Sequence, residues 1–93
     1  MFILDYSGQF KKDLKLLQKR SQTKFSNLQE FVEGLEQTGF DGVDKKHRPH
    51  FLSGNYNDCC ECHVLNDLLL IWIENKTTMT ITLLRTGTHS DLF

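Results

Sequence analysis

The six residues Leu68–Ile73, LLLIWI, constrain this chain more than any other segment. A strand with one wet face alternates apolar and polar side chains; here every position is apolar, so both faces need cover. The segment predicts a central strand over about 68–74, and six residues are far too few to cross a bilayer. Asn66-Asp67 before it and Asn75-Lys76 after it supply turn chemistry, which makes it the middle of a meander. The flanking strands are expected at about Asn57–Val64 and Met79–Leu84, where Met79, Ile81 and Leu83 alternate with Thr80, Thr82 and Leu84.

The N-terminal half reads differently. Residues 2–6, FILDY, suit a short strand whose partner the pattern does not fix. Ser7 is placed to cap a helix to about Arg20, with Phe10, Leu14 and Leu17 forming one apolar stripe. A second helix is expected from about Lys24 to Thr38, with Leu28, Phe31, Val32 and Leu35 inward and Gly39 as its stop. Gly, Asp, Pro and charges make residues 39–55 a loop. With 93 residues there is room for one domain, 1–93. The expected class is α+β, two N-terminal helices packed on a small twisted, mainly antiparallel sheet of about four strands.

The net charge of -1 conceals a segregated distribution. Residues 9–24 carry Lys11, Lys12, Lys15, Lys19, Arg20 and Lys24 against the single acid Asp13. Residues 25–44 carry Glu30, Glu33, Glu36, Asp41 and Asp44 with no base, and Lys45, Lys46 and Arg48 form a second basic knot. Local fields therefore matter more than the sum, although each run also suits the wet face of a helix. No charged segment followed by an apolar stretch and a cleavage site opens the chain, so a cytoplasmic protein is expected, with no membrane partner. Cys59, Cys60 and Cys62 are odd in number, which speaks against a disulfide framework. With His63 they suggest a zinc-binding structural protein, but the C-C-x-C-H spacing lacks paired arms, and alternate strand residues face opposite ways. No metal and no cofactor are expected.

The residues capable of chemistry gather towards the C-terminal half. Glu61 and His63, two apart, share a strand face, with Cys60, Cys62 and Val64 on the core side. Cys59 would join the outward face, where its oxidation would disturb a site there. Asp67 follows at a turn, His50 precedes the sheet, and Arg85 and His89 flank the end of the last strand. Antiparallel neighbours bring the end of one strand beside the start of the next, which could gather His63, Asp67, Arg85 and His89. Such a set suits metal-free RNA cleavage: a base takes the 2′-hydroxyl proton, an acid protonates the leaving 5′-oxygen, and a cation steadies the phosphate. Taken singly, each has a plainer role, as a structural histidine, a turn aspartate or a paired arginine.

Three ordered motifs resemble a known family. His50 to Trp72, HFLSGNYNDCCECHVLNDLLLIW, is similar to the RelE/ParE superfamily of type II toxins, in particular its YafQ-like mRNA interferase branch. That pattern has a histidine, a Leu-x-Gly-x-aromatic turn, an acid two before a histidine, and an aspartate before an apolar strand. The ending LLRTGTHSDLF and the start YSGQFKKDLKLLQKR resemble the same branch. The resemblance implies a RelE-like fold and the toxin of a toxin–antitoxin pair, which enters the ribosomal A site and cleaves the message being translated. It implies His50, His63, Asp67 and His89 as the catalytic set, with Glu61 and Arg85 assisting and Phe93 contacting or ordering the substrate. His89 would be the acid, and the base would be Asp67, His63 or His50. Arg85 would grip the scissile phosphate. Lys11, Lys12, Lys15, Lys19, Lys45, Lys46 and Arg48 would contact ribosomal RNA through phosphate. The implied partners are a cognate antitoxin, the ribosome and mRNA, with operator DNA reached only through the antitoxin complex. The alternative is the same fold without turnover, a binding module acting as co-repressor with its antitoxin. The slightly acidic net charge and the cysteine cluster depart from the family pattern.

Overall fold

The computed structural model describes residues 1–93 as a sheet with two long helices and one short one. The elements are β1 (Ile3–Tyr6), α1 (Gly8–Arg20), α2 (Gln22–Thr38), β2 (His50–Phe51), β3 (Cys60–Leu65), β4 (Leu68–Asn75), β5 (Thr80–Gly87) and α3 (His89–Leu92). The sheet order is β1-β5-β4-β3-β2. Strands β2 to β5 pair antiparallel with their neighbours, and β1 lies parallel to β5, with Ile3 opposite Thr80 and Tyr6 opposite Leu83. The first strand thus finds its partner in the last.

The apolar strand β4 is covered twice. Leu68, Leu70 and Trp72 join Phe10, Leu17, Leu28, Leu35, Ile81 and Leu83 in the larger core. Leu69 and Ile71 go to the opposite face, in a smaller cluster with Cys59 and Leu92. Each fully buried leucine or isoleucine contributes about 2 kcal/mol of transfer free energy.

The helices follow their stripes. Ser7 caps α1, its Oγ accepting from the Phe10 N–H at 3.0 Å and donating to the Leu84 carbonyl at 2.9 Å, so one hydroxyl ties the helix start to β5. Ser21 caps α2 through Lys24 N–H, which moves that helix's start to Gln22 rather than Lys24. Gly39 ends α2 at φ 69, and a Cβ there would lie 2.7 Å from the Phe2 ring.

Four departures from the sequence reading are structural findings. The sheet has five strands, because His50–Phe51 forms a two-residue strand inside the expected loop. Met79 has φ 55 and belongs to the turn, whereas β5 runs on to Gly87 and carries Arg85 within it. A short helix, α3, follows at the C-terminal end, closed by a capping box between Thr88 and Asp91. The face of β3 that carries Glu61 is not open: Glu61 is 4% exposed, and Cys59, 5% exposed, packs with Leu69, Ile71 and Leu92. No helix is long and apolar enough to cross a membrane.

Candidate active site

Sheet register sets residues far apart in sequence into common rows across the strands. His50 lies opposite Glu61, Glu61 opposite Ile71, and Ile71 opposite Arg85, one lateral row across β2 to β5. One step along, His63 lies opposite Leu69 and Leu69 opposite Gly87, which delivers the chain to His89. A bulge in the β4–β5 pairing after Ile71 shifts the register just where Arg85 enters the row.

At the β2 end, His50 Nδ1 is 2.8 Å from the Arg48 carbonyl and Nε2 is 3.0 Å from Glu61 Oε1. A carbonyl only accepts, so Nδ1 carries a proton. Two lone pairs would face each other across the Nε2–Oε1 contact unless one proton sits there, so His50 and Glu61 share one. Glu61 Oε2 is the one buried side-chain polar atom without a partner, an acceptor facing nothing that donates. His63 accepts at Nδ1 from Arg48 Nη2 at 3.1 Å, and its carbonyl accepts from His47 Nδ1 at 2.7 Å.

At the α3 end, Asp67 Oδ1 accepts the His89 backbone N–H at 3.1 Å. The His89 ring lies 5.2 Å from the Phe93 ring, which meets Tyr56 edge-on at 5.7 Å. The other three histidines each commit a ring nitrogen to a hydrogen bond, and His89 commits neither of its own. The helix that orients it is itself tied down: Asp91 accepts from Thr88 N–H and from Arg20. The Thr88 backbone bond, and then Arg20, hold its carboxyl below the usual carboxylate range.

Arg85 is not a free cation. Its Nε and Nη2 donate to Asp13 at 2.8 and 3.3 Å, and Asp13 Oδ2 also accepts the Thr86 N–H at 3.1 Å. The bond from Asp13 raises the arginine's pKa further, with a smaller contribution from Tyr56. Asp13 does not use Nη1, which can still grip an anion.

The expected set therefore falls into two linked groups, His50, Glu61 and His63 at one end and Asp67, His89 and Phe93 at the other, with Arg85 in the row with the first. Lys11, Lys12, Lys15 and Lys19 lie exposed on α1, and Lys45 and Lys46 on a 3-10 turn, none of them in an ion pair. Arg48 differs, since it holds His63. Asp13, His47 and Tyr56 escaped the sequence reading. Asp13 had a signal: it falls on the α1 stripe between Phe10 and Leu17, where a charge must be paired. Tyr56 is the aromatic of the Leu-x-Gly-x-aromatic turn.

The three thiols do not converge. Cys60 and Cys62 point into the larger core and Cys59 into the smaller one. No group of three His, Cys, Asp or Glu side chains is arranged to hold a metal ion. Burial pushes the Cys60 thiol up to about 12 and raises Cys59 as well, which suppresses the reactive thiolate. The expected oxidation-sensitive Cys59 is thus a buried core residue.

Residues 3–93 match the model of a family described as bacterial toxin of type II toxin-antitoxin system, YafQ. The chain belongs to the YafQ family. It is 33% identical over 90 residues to the mRNA interferase toxin YafQ of Escherichia coli K12, covering 97% of this chain and 94% of that protein. A metal-bound toxin from Helicobacter pylori superposes with a TM-score of 0.85 at 35% identity, over 100% of both chains. YafQ in the E. coli DinJ–YafQ complex superposes at 0.82 with 30% identity, over 100% of this chain and 99% of that one. The YafQ-family fold is therefore present from end to end.

Asp13→Ala in this YafQ-family toxin is expected to cost about 3 kcal/mol, because it leaves Arg85 and the Thr86 N–H without their acceptor. Urea unfolding measures it, and Asp13→Asn, which keeps an acceptor, should lose less.

Proposed function

We propose that the chain is a ribosome-dependent endoribonuclease that cleaves translated messenger RNA in the A site, and is silenced by a cognate antitoxin. The observation that carries this reading is the sheet register. His50, Glu61 and Arg85 share one row across four strands, His63 is opposite Leu69 one step along, and His89 follows two residues after the Gly87 that also faces Leu69.

The roles follow from which atoms are free. His89 is the general acid: its backbone is pinned by Asp67, its ring rests on Phe93, and its ring nitrogens are unengaged. The base is Asp67, an exposed carboxylate that gives Oδ1 to the His89 N–H and keeps Oδ2 free. The His63 Nδ1 lone pair is taken by Arg48, both His50 nitrogens are engaged, and the Glu61 oxygen without a donor is buried away from substrate. The 2′-hydroxyl proton passes to that carboxylate as the 2′-oxygen bonds phosphorus. The P–O5′ bond breaks, and His89 gives its proton to the departing oxygen, leaving a 2′,3′-cyclic phosphate and a 5′-hydroxyl. Arg85 Nη1 steadies the charge on the phosphate.

His89→Ala should lower cleavage of a translated message by about 10²–10⁴-fold in a purified translation system, with ribosome binding retained. Equal cleavage by variant and wild type would remove the proposed acid. No cleavage by either would favour the co-repressor reading.

The exposed lysines of α1 and of the turn at Lys45–His47 serve as phosphate contacts to ribosomal RNA. Replacing Lys11, Lys12, Lys15 and Lys19 by Gln should weaken ribosome binding and flatten its salt dependence. The slope of log K against log[salt] should fall by about 0.7–0.9 for each phosphate that is no longer neutralised, read by sedimentation across a salt series.

The antitoxin is proposed to anchor in the groove of about 290 Å³ between β1, α1 and α2. Its floor includes Leu4, Tyr6, Phe25 and Val32, and Glu33 and Glu36 line it too, which suits an apolar segment flanked by basic residues. The outer edge of β1, the end strand of the sheet, adjoins it. The pair of changes Tyr6→Ala and Glu33→Lys should weaken antitoxin binding at least about tenfold in calorimetry, the effect of removing one anchor side chain, and leave cleavage unaltered.

A further inference from the structure

We infer that Arg48 is a positioning residue that sets which nitrogen carries the proton in both His50 and His63, a role distinct from phosphate binding. One residue touches both rings. Its carbonyl accepts from His50 Nδ1 at 2.8 Å, and its Nη2 donates to His63 Nδ1 at 3.1 Å.

The two contacts impose opposite tautomers. A carbonyl has no hydrogen to give, so His50 is Nδ1–H and turns Nε2 to Glu61. A guanidinium has no lone pair to offer, so His63 keeps Nδ1 bare and carries its proton on Nε2. The Asn66 carbonyl, 3.5 Å from the same His63 nitrogen, favours the other form but stands at the limit of hydrogen bonding, and the shorter charged contact prevails.

The backbone supports a dedicated role. Arg48 has φ 50 and ψ 54, left-handed, at the end of the turn Lys45–His47 and directly before Pro49. A non-glycine residue is uncommon there, and a following proline also biases the backbone towards extended conformations, so the geometry is strained. That twist is what aims the carbonyl at His50 while the side chain reaches His63. His47 donates to the His63 carbonyl at 2.7 Å, so the segment is laid along β3 by consecutive residues.

The catalytic consequence rests on the nuclease reading above; the tautomers do not. Long-range ¹H–¹⁵N imidazole spectra at a pH where the rings are neutral report each nitrogen directly. Arg48→Gly keeps the left-handed backbone and removes the guanidinium. Its His63 nitrogens should move towards each other as an Nδ1–H population appears, with His50 unchanged. Arg48→Ala disfavours the backbone as well, and both histidines should shift. In the translation assay Arg48→Gly should lower kcat by about 10–100-fold, the scale seen when a ligand-orienting partner is removed, with KM nearly constant. Unchanged His63 spectra in both variants overturn the inference, as does a loss confined to KM with a changed salt slope, which would make Arg48 a phosphate contact. Shifted spectra in the variants of a protein whose wild type cleaves nothing would uphold the positioning role and overturn the nuclease reading.

Discussion

A strand with no polar face has to be roofed twice, and β4 is that strand. Helices α1 and α2 cover one side through Phe10, Leu17, Leu28 and Leu35; Leu92 of α3 and Cys59 help to cover the other. The second roof is thin and built partly from the C-terminal turn. That is why α3, only four residues long, carries a capping box and a bond from Arg20 to Asp91. A helix so short is not stable by itself. It is held by what it covers, and it holds His89 and Phe93 as a result.

Charge pairing supplies the second constraint. Asp13 is 8% exposed on the sheet-facing stripe of a helix otherwise rich in lysine, and its oxygens meet Arg85 and the Thr86 N–H. β1 pairs with β5 only as far as Leu83, so the stretch beyond has no strand on that side. A carboxylate from α1 satisfies the N–H that a strand would otherwise take. The same contact fixes the direction of the arginine in the histidine row. Stability and site geometry are thus one arrangement at this point, and a change at Asp13 touches both.

Much of this was legible in the sequence. Period and length gave the central strand, the capped first helix and the α+β class, because those signals are local and repeat over many residues. What stayed hidden depended on contacts between distant segments. The parallel pairing of β1 with β5 leaves no mark in either strand. The two-residue β2 is too short to show a period, yet it sets His50 opposite Glu61. The extension of β5 through Arg85 followed from the register after a bulge, and alternation breaks down at a bulge. Glu61 and Cys59 were read as outward because parity was right but the cover was not visible: a face opposite the helices need not be wet when the chain end folds back over it.

The histidines show how far residue identity falls short of chemistry. His50, His63 and His89 are the same side chain, and their identity alone cannot divide acid from base. Their neighbours differ. One ring donates to a carbonyl and presents Nε2 to a carboxylate; one accepts from a guanidinium and so presents a donor; one has a pinned backbone and a ring resting on an aromatic face. The carbonyl and the guanidinium each have a single hydrogen-bonding sense, so each imposes a state that bulk water would leave mixed. The cleavage proposed above needs that inequality, because a base and an acid in the same state cannot pass a proton across the reacting atoms. The asymmetry is written in the groups around the rings, and a backbone carbonyl, a strained arginine and a short capped helix are enough to create it.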